Sequence, residues 1–373
     1  MSKTKKIVAA VLLSITVLFL GLTAYTLWPD LFVKAEQTDA GQPGALANSL
    51  ENVLREQLPG SSLFRSLRNR LDVLLGKSHV GNIYIRDDRL FEELPQPDMD
   101  KVQASLEAIN RFSAGNHSRI YFLAVPTQVE FLPNELPAYQ PAWSQRAFSK
   151  DFLRSLTGSV TEIDIYADLV DAQNNGAYFN TQALWTQYGA YLGYRAFASV
   201  TGLYPRTLDK YSREVLSHNF CGALYHAIDE TAGEPDRIDL YYDPHSPDAE
   251  KVLHYQANGD AVEFGSVFFR SFLETEQQEK VFLGEDAPLV RVETSVANTR
   301  KLLLFGDDFA DVLLPFFLRN YSQIDLVNLS LLTESTSKLL NLDDYDAVLF
   351  VYGVDTLSQS DAFTRLSLIE TPA

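Results

Sequence analysis

The 373-residue chain has one cysteine, Cys221, and six histidines. A lone cysteine excludes an intramolecular disulfide, and a chain of this length can bury a core without such staples. His79, His117, His218, His226, His245 and His254 are scattered. None pairs with another at i, i+4 and none has a cysteine at ligand spacing, so no zinc-type pattern and no metal or cofactor is expected. Positive charge is scarce too: 31 Lys and Arg stand against 49 Asp and Glu, for a net charge of -18. Lys3, Lys5 and Lys6 against Asp30 leave -20 for the part beyond residue 30. A domain that acidic repels phosphate backbones and anionic surfaces, which excludes nucleic acid as the natural partner. Repeats and low-complexity tracts are absent as well.

One long apolar run is present. Ile7 to Trp28 holds 22 residues without a charge, and a bilayer span needs about 20. The lysines before it favour a cytoplasmic N-terminus with the remainder outside. The expectation is a short basic tail (1–6), an uncleaved signal anchor (7–28), a polar linker (29–44) and an extracytoplasmic domain at the cell membrane. A cleaved signal peptide is the rival, with Leu22-Thr-Ala24 as a weak cleavage match.

Beyond the linker, Leu46, Leu50, Val53, Leu54 and Leu58 follow helical spacing, as do Leu63, Leu67, Leu71, Leu74 and Leu75. Pro59-Gly60 and Gly76 close the two segments, which predicts a helical hairpin over 45–76. Residues 77–373 then alternate strands with helices. The strands are Val80–Arg86, Ile120–Val125, Val160–Tyr166, Arg237–Tyr242, Leu289–Glu293, Leu302–Phe305, Ile324–Leu329 and Ala347–Val351. The helices are Lys101–Phe112, Ala142–Leu156 and Thr186–Val200, the last ended by Gly202. That alternation predicts an α/β fold with a mainly parallel sheet flanked by helices. A strand-rich stretch over about 212–285 reads as an insertion.

The stretch Lys301-Leu-Leu-Leu-Phe-Gly-Asp-Asp-Phe-Ala310 organises the rest. An apolar strand runs into Gly306, a turn, and a helix beginning near Phe309. Open α/β sheets place their chemistry at such corners, where unpaired backbone N–H groups face the crevice.

Further segments, Asn82-Ile-Tyr-Ile85, Val125-Pro-Thr127, Tyr178-Phe-Asn-Thr-Gln-Ala-Leu-Trp185, Tyr188-Gly-Ala-Tyr191, Asn219-Phe-Cys-Gly222 and Val348-Leu-Phe-Val-Tyr352, stand around that corner in an order and spacing that resembles the DHHW family. That family is similar to the SGNH-hydrolase-like proteins of alginate O-acetylation. The resemblance implies an SGNH-type α/β fold in which an Asp-x-His pair precedes the nucleophilic Ser. The Asp-His-His-Trp motif falls on Gln182, Ala183, Leu184 and Trp185, and the Gly-Asp-Ser corner on Gly306, Asp307 and Asp308. The acid, base and nucleophile positions therefore hold Gln182, Leu184 and Asp308. No catalytic triad is intact.

Ser-dependent acyl transfer needs a hydroxyl, a base and a group that orients the base. Asp308 is a feeble nucleophile toward an ester. Either it caps the helix that follows, or it occupies the corner in place of a transient oxyanion; both can hold. Asp307 or Asp308 with His226 is the remaining candidate for a rescuing pair. Cys221 is read as a small buried residue. Trp143, Trp185, Tyr178 and Tyr188 offer a sugar-stacking platform, or else belong to the core. Asp343, Asp344 and Asp346 lack an EF-hand pattern and read as a solvated loop.

The leading expectation is a non-catalytic accessory or glycan-binding component of cell-envelope polysaccharide O-acetylation, beside a membrane-bound O-acyltransferase. The alternatives are an active O-acetylesterase or O-acetyltransferase that uses non-standard residues, and a structural envelope assembly protein.

Overall fold

The computed structural model describes residues 69–70, 72–73, 77–131 and 143–369, except 159, 173, 231 and 246–248. The apolar run 7–28, the linker and nearly all of the hairpin lie outside the described residues. Residues 69–70 and 72–73 are helical. Among the described residues no helix is long and apolar enough to cross a membrane.

Ser78–Ala373 forms one compact unit. It opens with a small antiparallel sheet of β1 (His79–Val80), β2 (Ile83–Arg86) and β3 (Arg89–Glu92). The sequence predicts a single strand over 80–86. Gly81, at φ +63, instead turns the chain so that Val80 faces Ile83 across a hairpin. Then come α1 (Met99–Ala114), β4 (Arg119–Val125), α2 (Gln145–Arg154), β5 (Val160–Glu162), α3 (Tyr166–Ala172) and α4 (Gln187–Thr201). β5 stops well before Tyr166, because the Asp164 carboxylate accepts from the Tyr166 N–H and turns the chain into α3. The Asp98, Ser144 and Thr186 side chains each accept a backbone N–H at the start of α1, α2 and α4. Such caps contribute ~1 kcal/mol each. Gly202 closes α4 at φ +73, as its position predicts.

The second half holds β6 (Ser212–Phe220), α5 (Ala223–Ala227), β7 (Asp236–Tyr242), β8 (Lys251–Tyr255), β9 (Ala261–Phe264), β10 (Leu289–Glu293) and β11 (Lys301–Gly306). It ends with α6 (Asp308–Leu313), β12 (Gln323–Val327), α7 (Glu334–Ser337), β13 (Ala347–Gly353) and α8 (Val354–Gln359). The main sheet has eight strands in the order β5-β4-β13-β11-β12-β10-β8-β9. The five from β5 to β12 run parallel; β10, β8 and β9 extend the sheet antiparallel. The stretch over 212–285 thus supplies a separate β6–β7 ribbon and the last two strands at one end of the main sheet.

All seven residues of β13 are buried, as expected of a central parallel strand covered on both faces. On one face Phe122, Phe350 and Phe305 stack across β4, β13 and β11, with centroids 5.4 and 4.8 Å apart, and Phe112 of α1 meets them edge-on. The other face packs Leu123, Leu304, Leu349 and Val351 beneath Trp185, Phe197 and Phe317. Each such side chain contributes about 1.5–3 kcal/mol on burial.

Asp343, Asp344 and Asp346 are exposed, and two of them also hold Lys301. Asp344 pairs with Lys301 Nζ at 3.2 Å and Asp346 accepts the Lys301 N–H at 2.8 Å, so together they fix the entry of β11.

Candidate functional site

The corner at the end of β11 depends on Gly306. A Cβ there would lie 2.1 Å from Ala310 Cβ and 3.0 Å from the Val351 carbonyl. Only glycine lets the strand turn this tightly into α6 beside β13.

Asp307, not Asp308, caps α6. Its Oδ1 accepts from the Phe309 N–H at 3.2 Å. Its Oδ2 accepts from the Gly353 N–H at 2.9 Å and from the Thr356 hydroxyl at 2.7 Å. The side chain therefore staples the exit of β11 to the exit of β13. Burial and the Asp355 carboxylate push Asp307 up, while the Thr356 and Gly353 donors work the other way. Burial likewise raises Asp355, to about 6.

Asp308 is free of the cap. Its side chain is 59% exposed, and its carboxylate faces Lys280 Nζ at 3.9 Å. Lys280 is 14% exposed and also bonds Asp286. Asp286, Asp308 and Asp311 each place an oxygen within 4.8 Å of the others. Desolvation raises Asp308 against the pull of Lys280, and it raises Asp311 further, with the Asp308 charge adding to it. Burial works to lower Lys280, but the Asp308 and Asp286 charges prevail and hold the ammonium above its usual range. One half-buried ammonium thus serves three carboxyls in the position the resemblance assigns to a nucleophile. The expectation that Asp308 imitates an oxyanion on backbone N–H groups gives way to this ion cluster.

Glu279 completes the rim. Burial raises its carboxyl, the Asp308 charge adds to this, and Lys280 and His226 oppose it. His226 places Nδ1 3.3 Å from Glu230 Oε1 and is 36% exposed. Asp308 and His226 therefore share a neighbourhood through Glu279, without a direct bond between them among the described contacts. Burial, with Glu230 and Asp236 adding, pushes the Cys221 thiol up and away from thiolate reactivity.

The 178–185 loop carries the other two positions. Leu184 is 3% exposed and belongs to the core. Gln182 Oε1 accepts from the Ala223 N–H at 2.5 Å, at the start of the helix that bears His226. Gly222 permits this approach, since a Cβ there would lie 2.6 Å from Gln182 Cβ. Trp185 is fully buried; its Nε1 donates to the Phe309 carbonyl at 3.0 Å and its ring meets Phe309 edge-on. Tyr178 is 3% exposed and donates to the Pro126 carbonyl at 2.5 Å. These two aromatics are struts of the corner rather than a stacking platform, because their faces are sealed by core side chains. Trp143 is tied to the Pro95 carbonyl at 2.9 Å.

Asp236 is the residue that sequence reading missed. It is 6% exposed and accepts from the Asn180 N–H (2.8 Å), the Thr181 N–H (2.8 Å) and the Thr181 hydroxyl (2.6 Å). Thr181 Oγ1 in turn accepts from the Gly222 N–H at 2.9 Å. A buried acid at the head of β7 thereby sets the loop that presents Gln182. Its strand position was readable, but its partners stand 55 and 56 residues away.

The arrangement gathers charge at the corner. The corner offers carboxylates and an ammonium to polar ligands. Positions 184 and 308 supply neither an imidazole nor a hydroxyl.

Comparison with known proteins fits this geometry. The family model described as DHHW protein matches residues 81–327. A DHHW family protein from Eubacterium siraeum has a similar solved structure, with 21% identity and a TM-score of 0.66 over 78% of this chain and 96% of that one. Bacillus cereus PatB1, solved with a sulfonyl adduct, is similar at 16% identity and a TM-score of 0.64 over 77% of this chain and 98% of that one. At these identities the likeness is one of fold. No curated protein matches.

Proposed function

The chain belongs to the DHHW family, and from that premise we propose that it is a non-catalytic accessory or glycan-binding component of cell-envelope polysaccharide O-acetylation. In this reading the apolar run 7–28 anchors it in the membrane, the folded unit stands outside, and a membrane-bound O-acyltransferase or the polysaccharide is its partner. One observation carries the reading: the carboxylate at position 308 faces the half-buried Lys280 ammonium, while position 184 is a core leucine. Acyl transfer through that corner has no nucleophile to activate and no base to activate it.

The test is turnover of an aryl acetate and of an acetylated glycan by the purified full chain in mild detergent. The expected rate equals that of heat-killed protein. Turnover well above that control, abolished by Asp308→Ala, refutes the reading.

A second reading is an active O-acetylesterase or O-acetyltransferase in which Asp307 or Asp308 works with His226. Glu279, set between the charges of Asp308 and His226, favours it. It requires a bell-shaped pH profile and loss of rate in His226→Ala.

A further inference from the structure

A cavity of about 420 Å³ opens between the β6–β7 ribbon, the Asn174–Gly176 turn and the first turn of α4. Its lining excludes the ion cluster around Asp308. We propose that this cavity binds a sugar ring carrying an anionic substituent, a carboxylate or a phosphate. The proposal deepens the glycan-binding side of the proposed function and rests on it, but it is independent of whether the corner turns over.

The strand pattern builds the anionic subsite. Along β7, Ile238 and Leu240 point into the core, so Arg237, Asp239 and Tyr241 share the opposite face. Arg213 on β6 stands across from Tyr241 and reaches the same face. Asp239 accepts from Arg213 Nη2 at 2.8 Å and from Arg237 Nη2 at 3.0 Å. One carboxylate thus fixes two guanidiniums in place. Each guanidinium carries five donors, so N–H groups remain on both for a ligand. Their side chains are 43% and 50% exposed, which leaves them accessible. Arg89, Arg213 and Arg237 against Asp236 and Asp239 leave the cavity lining net positive in a chain of net charge -18. Forked guanidiniums held this way suit the paired oxygens of a carboxylate or phosphate.

The remainder of the cavity suits a polyhydroxylated ring. Tyr188 and Tyr241 are half-buried and present aromatic surface for sugar C–H groups. Asn174, Asn175 and Asn180 supply both donors and acceptors around that surface. The volume lies in the range of small-ligand sites, about 300–1,000 Å³. The lining is mostly polar, which favours a sugar over the flat apolar face of a nucleobase.

Calorimetry of the full chain in mild detergent tests this with four probes: a galacturonate trisaccharide, the neutral galactose trisaccharide, galactose 6-phosphate and AMP. The expected result is tighter binding of the acidic sugars than of the neutral one by about tenfold or more, one well-made ion contact's worth. The trisaccharide and phosphate arms tell which anionic group the site prefers. The double variant Arg213→Gln/Arg237→Gln is expected to erase the acidic preference with its unfolding midpoint unchanged. Equal affinity for neutral and acidic sugars overturns the proposal. So does an acidic preference that survives in the double variant, binding of AMP above the sugars, or no binding of any probe. The turnover assay decides the proposed function separately, so the two can fail independently.

Discussion

Removing the Asp236 carboxylate is the most demanding test of how the Gln182 loop is held. In Asp236→Ala three donors lose their acceptor, the N–H groups of Asn180 and Thr181 and the Thr181 hydroxyl. Thr181 is fully buried, so its amide has no water to turn to. A hydrogen bond to a charged group contributes about 1.5–3 kcal/mol. Burial pushes the Asp236 carboxyl up, which shows that part of this gain is spent on desolvation. The net loss expected for Asp236→Ala is therefore about 3–4 kcal/mol rather than the full sum of three bonds. At this chain length that corresponds to a midpoint lowered by roughly 4–6 °C. Asp236→Asn keeps one acceptor oxygen and is expected to lose about 1–2 kcal/mol. Urea unfolding of the three proteins, with amide exchange at Thr181 and Ala223, measures both the energy and its location. An Asp236→Ala protein within about 1 kcal/mol of the parent refutes the reasoning, as does an Asn variant no more stable than the Ala variant.

Three other outcomes are expected. Gly306→Ala drives a methyl to 2.1 Å from Ala310 Cβ, and overpacking of this kind is expected to lower stability by about 3 kcal/mol, read as a lower urea midpoint. Trp185→Phe removes the Nε1 bond to the Phe309 carbonyl and leaves a void under α6; the expected loss is about 2–4 kcal/mol in the same assay, with loss of the buried-tryptophan fluorescence signal. The Asp307–Asp355 pair is raised by burial, so the native state holds protons that the unfolded chain has already released. Stability is then greatest below the usual carboxylate range and is lost progressively as pH climbs from about 4 to about 8. Asp307→Asn is expected to flatten that slope, and an unchanged slope contradicts the assignment.

Much of the fold was readable because its signals are local. Leu289–Glu293 is a strand over the residues its alternation predicts, and Thr186 and Gly202 bound α4 as their chemistry requires. Gly306 marked the corner correctly for the same reason. Two strands were misjudged where a single residue overrode a run of apolar letters, Gly81 by its backbone and Asp164 by its side-chain turn. The cap fell one residue early, on Asp307, since two adjacent acids read alike until Gly353 and Thr356 arrive from another strand. Lys280, Asp286, Asp308 and Asp311 were illegible as a group, because only the tertiary fold gathers them. The same holds for the Arg213–Asp239–Arg237 cluster, although the alternation of β7 already placed Arg237 and Asp239 on one face.

The position of β13 has a consequence for biosynthesis. It lies between β4 and β11, so the β5–β4 pair cannot join the strands from β11 to β9 until it is made. Some 220 residues separate β4 from β13, which at roughly 5–20 residues per second is a wait of about ten to forty seconds on the ribosome. Throughout that interval one side of β4 is a bare, apolar template for any passing strand. The nascent protein therefore needs shelter until β13 emerges, and removing β13 leaves two half-sheets with nothing to join them.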